Sequence, residues 1–282
     1  MKERLKALAD QRGRLYVRRL GRLRLITKSR KAWATGSRPH REPGVWLREV
    51  ILSPEVDTYS YALENVDEVA TTLARALDTA APTVRDVLDE ALSDPDLGDR
   101  IAADIGHRAL WLKRRPPLAG HHLAAWAIVR LTRPALVVET GILDGLGSRT
   151  ILRALQRNGD EGHEGRLVSF DVLPAAGALV PDRLASRWRR VIEATETGLE
   201  GQLGGERVDV FLHDSQQTAA SQRFEFGWAL EHGVRVALTT ADWTGVIDEL
   251  AVTHGIRSAH FEDQPRSHFY GGRHIGLLVR EP

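Results

Sequence analysis

With 282 residues, 42% of them hydrophobic and 27% charged, the chain is long enough to bury a full core and reads as globular, neither disordered nor fibrous. It has no cysteine, which excludes disulfides, thiolate nucleophiles and Cys-ligated zinc or iron–sulfur centres. The net charge of +1 hides an asymmetry: residues 1–31 carry twelve Lys/Arg against two Asp/Glu, whereas the remainder carries 27 against 36.

That basic arm, 1–31, suits either an anionic surface or packing on the acidic body or a partner subunit. Tyr16 is its one aromatic residue, too few for a base-stacking platform, so packing is the favoured reading and nucleic acid is not. No apolar run reaches the ~18 residues of a membrane span, and the start lacks the apolar core of a secretory signal. The expectation is a cytoplasmic protein without a membrane role, and the arm is compatible with a homodimer.

After a Gly/Pro/Arg linker, 36-GSRPHREPG-44, residues 32–116 read as a helical module, expected to act as a lid or oligomerisation element. Leu63, Val66, Val69, Ala70, Leu73 and Leu77 fall on one helical face, and Val84, Val87, Leu88, Ala91 and Leu92 repeat the spacing behind a Thr83 cap. A third helix is expected over 97–112, and Pro116-Pro117 closes the module.

From 117 onward strands and helices alternate. A helix over 120–132 leads into Leu136-Val137-Val138, a helix over 146–157 ends at Asn158-Gly159, and Leu167–Phe170 is the next strand. Further apolar runs lie at 190–193, 207–212 and 234–239, with helical segments near 182–188, 217–231 and 244–253. This rhythm predicts a doubly wound, Rossmann-like α/β fold with a mostly parallel sheet. The runs 259–263 and 274–279, joined only by 264-QPRSHFYGGR-273, predict a closing hairpin with an antiparallel last strand.

In such a sheet ligands sit beyond the carboxyl ends of the strands. The first strand runs into Glu139-Thr140-Gly141, followed by Gly145 and Gly147-Ser148. The spacing is neither G-x-G-x-x-G nor a phosphate-cradling G-x-x-x-x-G-K-[ST]. Glycines let a ligand lie close to the backbone, and the Glu139 carboxylate suits a cationic or hydrogen-donating group better than a pyrophosphate.

On 138-VETG-141, Gly145, Gly147-Ser148, 168-VSFD-171 and 213-HDS-215, residues 117–282 resemble class I S-adenosylmethionine-dependent methyltransferases. The likeness is to the subgroup with a VETGxxxGxS first motif and an HDS stretch after the fourth strand. The resemblance implies that Glu139, Thr140, Gly141, Gly145, Gly147 and Ser148 hold the methionine part of S-adenosyl-L-methionine. It implies that Asp171 accepts from the ribose hydroxyls and that Thr195 contacts the adenine. A carboxylate suits a vicinal diol because it offers two acceptor oxygens.

Methyl transfer needs an aligned acceptor and, for a hydroxyl, a proton acceptor. His213, Asp214 and Asp242 are the candidate catalytic residues, since they close the fourth and fifth strands. His122, His268 and Tyr270 are the candidate substrate contacts. In metal-dependent relatives the fifth-strand turn carries two adjacent acidic or amide residues. Here Ala241 takes the place of the first, so no metal ligands are assigned and a divalent metal is not favoured. The leading reading is O-methylation of a small-molecule acceptor with His/Asp assistance. The alternatives are a non-catalytic cofactor-binding or assembly protein of the same fold and a nucleic-acid methyltransferase. The last is disfavoured because 214-DSQQ-217 lacks the proline-rich turn that base-modifying enzymes carry there. A hydroxylating relative ranks below these, for want of an iron-binding triad.

Overall fold

The computed structural model describes residues 63–98, 100, 118, 120–264 and 274–281. The basic arm, the 36–44 linker, nearly all of the expected 97–112 helix, Pro116-Pro117, His268, Tyr270 and Arg273 lie outside the described residues.

Seven strands form one sheet: β1 (Leu136–Thr140), β2 (Arg166–Asp171), β3 (Trp188–Ile192), β4 (Val210–His213), β5 (Val236–Thr239), β6 (Arg257–Glu262) and β7 (His274–Val279). Their order is β3-β2-β1-β4-β5-β7-β6. β1 to β5 pair in parallel, while β7 runs antiparallel between β5 and β6, as the hairpin reading predicts. The chain builds outward from β1 through β2 to β3 and then returns to the other side of β1 with β4. That reversal places the topological switch, where such sheets bind ligands, between β1 and β4.

Strand periodicity sorts the core into two layers. Val137, Leu167, Leu212 and Leu238 point to one face, where α1 (Val66–Ala76), α2 (Ala81–Ser93), α3 (Gly120–Thr132) and α4 (Leu146–Asp160) pack. Val138, Val168, Phe170 and Phe211 point to the other, under α6 (Thr195–Leu203), α7 (Ala219–Glu231) and α8 (Val246–His254); the short α5 (Asp182–Ala185) precedes β3. Central strands covered on both faces explain the continuous apolar runs.

Helices α1 and α2 share one continuous apolar cluster with α3, α4 and the sheet. A buried ion-pair group reinforces the seam: Asp94, after α2, accepts from Arg153 (3.1 Å) and Arg157 (2.8 Å) of α4. Several expected boundaries shift. Thr83 lies inside α2, whose first turn is set by Pro82, and Leu92 faces solvent. Helix α4 passes through Asn158-Gly159 to Asp160, because the Asn158 amide donates inward to the Val129 carbonyl (2.8 Å) and ties α4 to α3. Helix α6 was not expected at all. Among the described residues no helix is long and apolar enough to cross a membrane.

Candidate active site

The carboxyl ends of β1, β2, β4 and β5 converge at the switch point. At β1 the chain turns through Gly141, at a φ of +85°, where a Cβ would lie 2.2 Å from the Asp214 carbonyl oxygen. Only glycine lets the β1 and β4 loops meet this closely. Gly145 caps α4, and the loop after β2 packs on the turn, with Gly177 N–H donating to the Leu143 carbonyl (2.9 Å).

Glu139 points inward. It is buried, and it accepts hydrogen bonds from Ser148 Oγ and from Ser169 Oγ (2.7 Å), the latter in turn held by Trp188 Nε1 (3.0 Å). Burial, with the nearby charges of Asp214 and Asp171, pushes its carboxyl up to about 8 despite the two hydroxyls. A Cβ on Gly147 would lie 2.7 Å from Glu139 Oε1. Glu139 and Ser148, both expected to face a ligand, are hydrogen-bonded to each other inside the fold. Thr140 is likewise turned away, its hydroxyl donating to Glu225 Oε2 (2.5 Å).

Asp171 stands at the open end of β2, partly exposed. Its Oδ2 accepts from the Ile142 and Leu143 N–H groups (2.8 and 2.9 Å), and Oδ1 accepts from Leu173 N–H (2.8 Å). A carboxylate has about four lone-pair sites, so three backbone bonds leave room for a hydroxyl donor. Its backbone neighbours Leu143, Val172 and Ile192 are exposed apolar residues, at 56%, 65% and 40% exposure. Leu143 N–H binds its carboxylate, Val172 follows it in sequence, and Ile192 is its register partner on β3. A partly exposed carboxylate with exposed apolar residues as its backbone neighbours suits a sugar hydroxyl bearing a flat apolar base.

At β4, His213 is fully buried, with Nδ1 2.6 Å from Glu225 Oε2 on α7. Its other ring nitrogen, Nε2, is buried with no hydrogen-bond partner among the described residues. Asp214 is partly exposed, and its Oδ1 accepts from Thr240 Oγ1. At β5, the side chain of Asp242 is nearly buried and its Oδ2 is held by His260 Nδ1 (2.8 Å), while His260 Nε2 meets Asp248 Oδ1 (2.8 Å). Those bonds raise His260 to about 9. Asp242 is thus tied to β6 by an ion-pair bridge through Oδ2, while its buried Oδ1 has no hydrogen-bond partner among the described residues. Gln222 of α7 donates to the Ala241 carbonyl (3.1 Å), and the indole of Trp243, next along the turn, is 58% exposed.

The remaining candidates are placed as follows. His121 and His122 are both buried at the start of α3, with ring centroids 4.0 Å apart. Thr195 begins α6, and its hydroxyl donates to Glu225 Oε1 (2.9 Å). Among the described residues no group of three or more His, Asp or Glu is placed to hold a metal ion.

Sequence reasoning missed Glu225 and His260. Glu225 was findable as a carboxylate between Phe224 and Phe226 in a helix that must bury one face. His213 carried its own signal: strand alternation sets it on the face of Phe211, beneath α7.

No curated protein matches this sequence. Among solved structures, the chain is similar to cofactor-bound Rv0187 from MTB, at 16% identity over 66% of this chain and 90% of that one, with a TM-score of 0.47. It is similar to the O-methyltransferase TomG from Streptomyces achromogenes, involved in tomaymycin synthesis and solved with SAM, at 17% identity over 67% and 91%, TM-score 0.47. It is also similar to the O-methyltransferase from Bacillus cereus in complex with SAH, at 14% identity over 76% and 97%, TM-score 0.41. Residues 138–240, from β1 to the end of β5, match the family model described as a methyltransferase domain.

Proposed function

We propose that this chain is an S-adenosylmethionine-dependent methyltransferase acting on an oxygen of a small-molecule acceptor. The observation that carries the reading is Asp171: a partly exposed carboxylate at the open end of β2, with exposed Leu143, Val172 and Ile192 as its backbone neighbours. The methyltransferase-domain match over 138–240 supports it independently.

S-adenosylmethionine supplies a methyl group already activated on a sulfonium. This chain's residues would bind, orient and deprotonate. Asp171 would accept from a ribose hydroxyl, with Leu143, Val172 and Ile192 against the base. The Gly141 turn would bring the β1 backbone alongside the methionine part. Asp214, partly exposed on the adjacent β4 loop and oriented by Thr240, would take a proton from an acceptor hydroxyl as the new bond forms. The exposed Trp243 indole supplies an apolar surface on the β5 loop for the acceptor.

A second reading, a cofactor-binding protein without turnover, is favoured by one observation: His213 and Asp242 are both committed to internal partners. Calorimetric titration with S-adenosylhomocysteine separates the outcomes. Micromolar binding abolished by Asp171→Ala supports the cofactor site; no binding to folded protein overturns it. With binding secured, Asp214→Asn that stops methyl transfer but keeps affinity supports an enzyme, whereas a wild-type protein that never consumes the methyl donor supports the second reading.

A further inference from the structure

Glu225 on α7 is a buried carboxylate that the steps above do not use. Four donors from three elements close on it: Thr140 Oγ1 (2.5 Å) and His213 Nδ1 (2.6 Å) on Oε2, and Ser215 Oγ (2.8 Å) and Thr195 Oγ1 (2.9 Å) on Oε1. Thr140 immediately precedes Gly141. His213 and Ser215 bracket Asp214, and Thr195 opens α6 after β3. One carboxylate therefore sits beneath the β1, β3 and β4 loops, the loops that frame the switch point.

The chemistry fits an ionised clamp. Burial pushes this carboxyl up, but the bonds from His213, Thr140 and Ser215 outweigh it and hold Glu225 below the usual range. Each oxygen takes two donors, the capacity of a carboxylate. The imidazole is fixed as well: with a carboxylate oxygen 2.6 Å away, Nδ1 must carry a hydrogen, and buried Nε2 has no hydrogen-bond partner among the described residues. The Nδ1–H tautomer leaves no unpaired N–H at Nε2 in the core.

Resting on the cofactor reading above, we infer that Glu225 is a positioning residue: it locks His213 as the Nδ1–H tautomer and holds the loops after β1, β3 and β4 in the arrangement that binds the cofactor.

The test uses the full chain and its Glu225→Gln variant, with S-adenosylhomocysteine as the probe and nitrogen-15 histidine labelling to read the ring. A glutamine keeps the volume but turns one acceptor into a donor. Its amide must face either the His213 side or the hydroxyl pair, so one side loses its acceptor. Two results are expected. His213 in the wild-type protein shows hydrogen on Nδ1. The affinity of the variant for the probe falls roughly ten- to hundredfold whichever way the amide turns, the scale of losing one or two such bonds. The Thr195→Val, Ser215→Ala double variant, which trims only the Oε1 side, is the companion if Glu225→Gln fails to fold. It should weaken binding several-fold and leave the His213 tautomer unchanged. An Nε2–H tautomer in the wild-type protein, or folded variants with wild-type affinity, overturns the inference while the cofactor reading stands. A wild-type protein that does not bind the probe overturns both, and so marks a failure of the underlying reading.

Discussion

The meeting of the β1 and β4 loops can be tested with two alanines. Gly141→Ala and Gly162→Ala start from nearly the same backbone, φ of +85° and +87°, but differ in surroundings. A Cβ at 141 would lie 2.2 Å from the Asp214 carbonyl oxygen and 2.8 Å from Ser215 N, whereas at 162 nothing lies within 4 Å. Both variants bear the left-handed cost of roughly 1–2 kcal/mol. Only Gly141→Ala adds overpacking against backbone, typically ~1–3 kcal/mol more. Unfolding entropy of about 2.1 cal/mol/K per residue gives the 282-residue chain about 0.6 kcal/mol/K, so 1 kcal/mol moves Tm by about 2 °C. Gly162→Ala should therefore lower Tm by about 2–3 °C and leave S-adenosylhomocysteine binding intact. Gly141→Ala should lower it by about 4–8 °C and weaken binding, because the two loops must part. Thermal unfolding by circular dichroism, with calorimetric titration, reads both. Equal Tm losses, or undisturbed binding in Gly141→Ala, would refute the close approach.

The other expectations concern buried charge. Glu139, at about 8 in the folded chain against a usual 4.5, keeps a proton that the unfolded chain releases. Stability should fall as pH rises from about 4.5 to about 8, and Glu139→Gln, which mimics the protonated acid, should flatten that fall between pH 5 and 8.5 in urea titrations; an unchanged slope would exclude the assignment. Asp94 is buried, which pushes its carboxyl up, but the bonds from Arg157 and Arg153 hold it below the usual range. Asp94→Asn should cost about 2–4 kcal/mol at pH 7, and the wild-type advantage should vanish as pH falls below about 4 through the folded value. His260 is raised from 6.5 to about 9 by its bonds to Asp242 and then Asp248, against burial. Its contribution is fully present below 6.5 and is lost as pH rises through about 9. Solvent screening of a ring 38% exposed limits it to about 1 kcal/mol. His260→Gln should therefore lower stability at pH 6 and much less at pH 10, with an equal loss at both pH values counting against the bridge.

Most of the framework was legible in the sequence, because it rests on local rules. Runs such as Leu136-Val137-Val138 fit central strands buried on both faces, and the glycines after Glu139 mark a turn where backbone approaches backbone. The place of Asp171 was legible for the same reason: it closes the strand beside that turn. Helix α6 was hidden because Gly198 and Gly201 depress the helical propensity of TETGLEGQL, and Leu199 and Leu203 recover it only by packing under the sheet.

The direction of the polar side chains was decided by tertiary structure alone. Glu139, His213, Thr195 and Asp242 all stand near strand ends, where a sequence reading takes them for ligand contacts. Each instead found an internal partner: Ser148 and Ser169, Glu225, Glu225 again, and His260. Those partners lie 9 to 30 residues away and become neighbours only when Thr140 aligns with His213 and α7 settles beneath them. A buried polar group must be satisfied wherever the fold brings a partner. Local sequence therefore set which groups reach the switch point, and the packing of α7 and β6 decided that Glu225 and His260 are the partners that His213, Thr195 and Asp242 meet there.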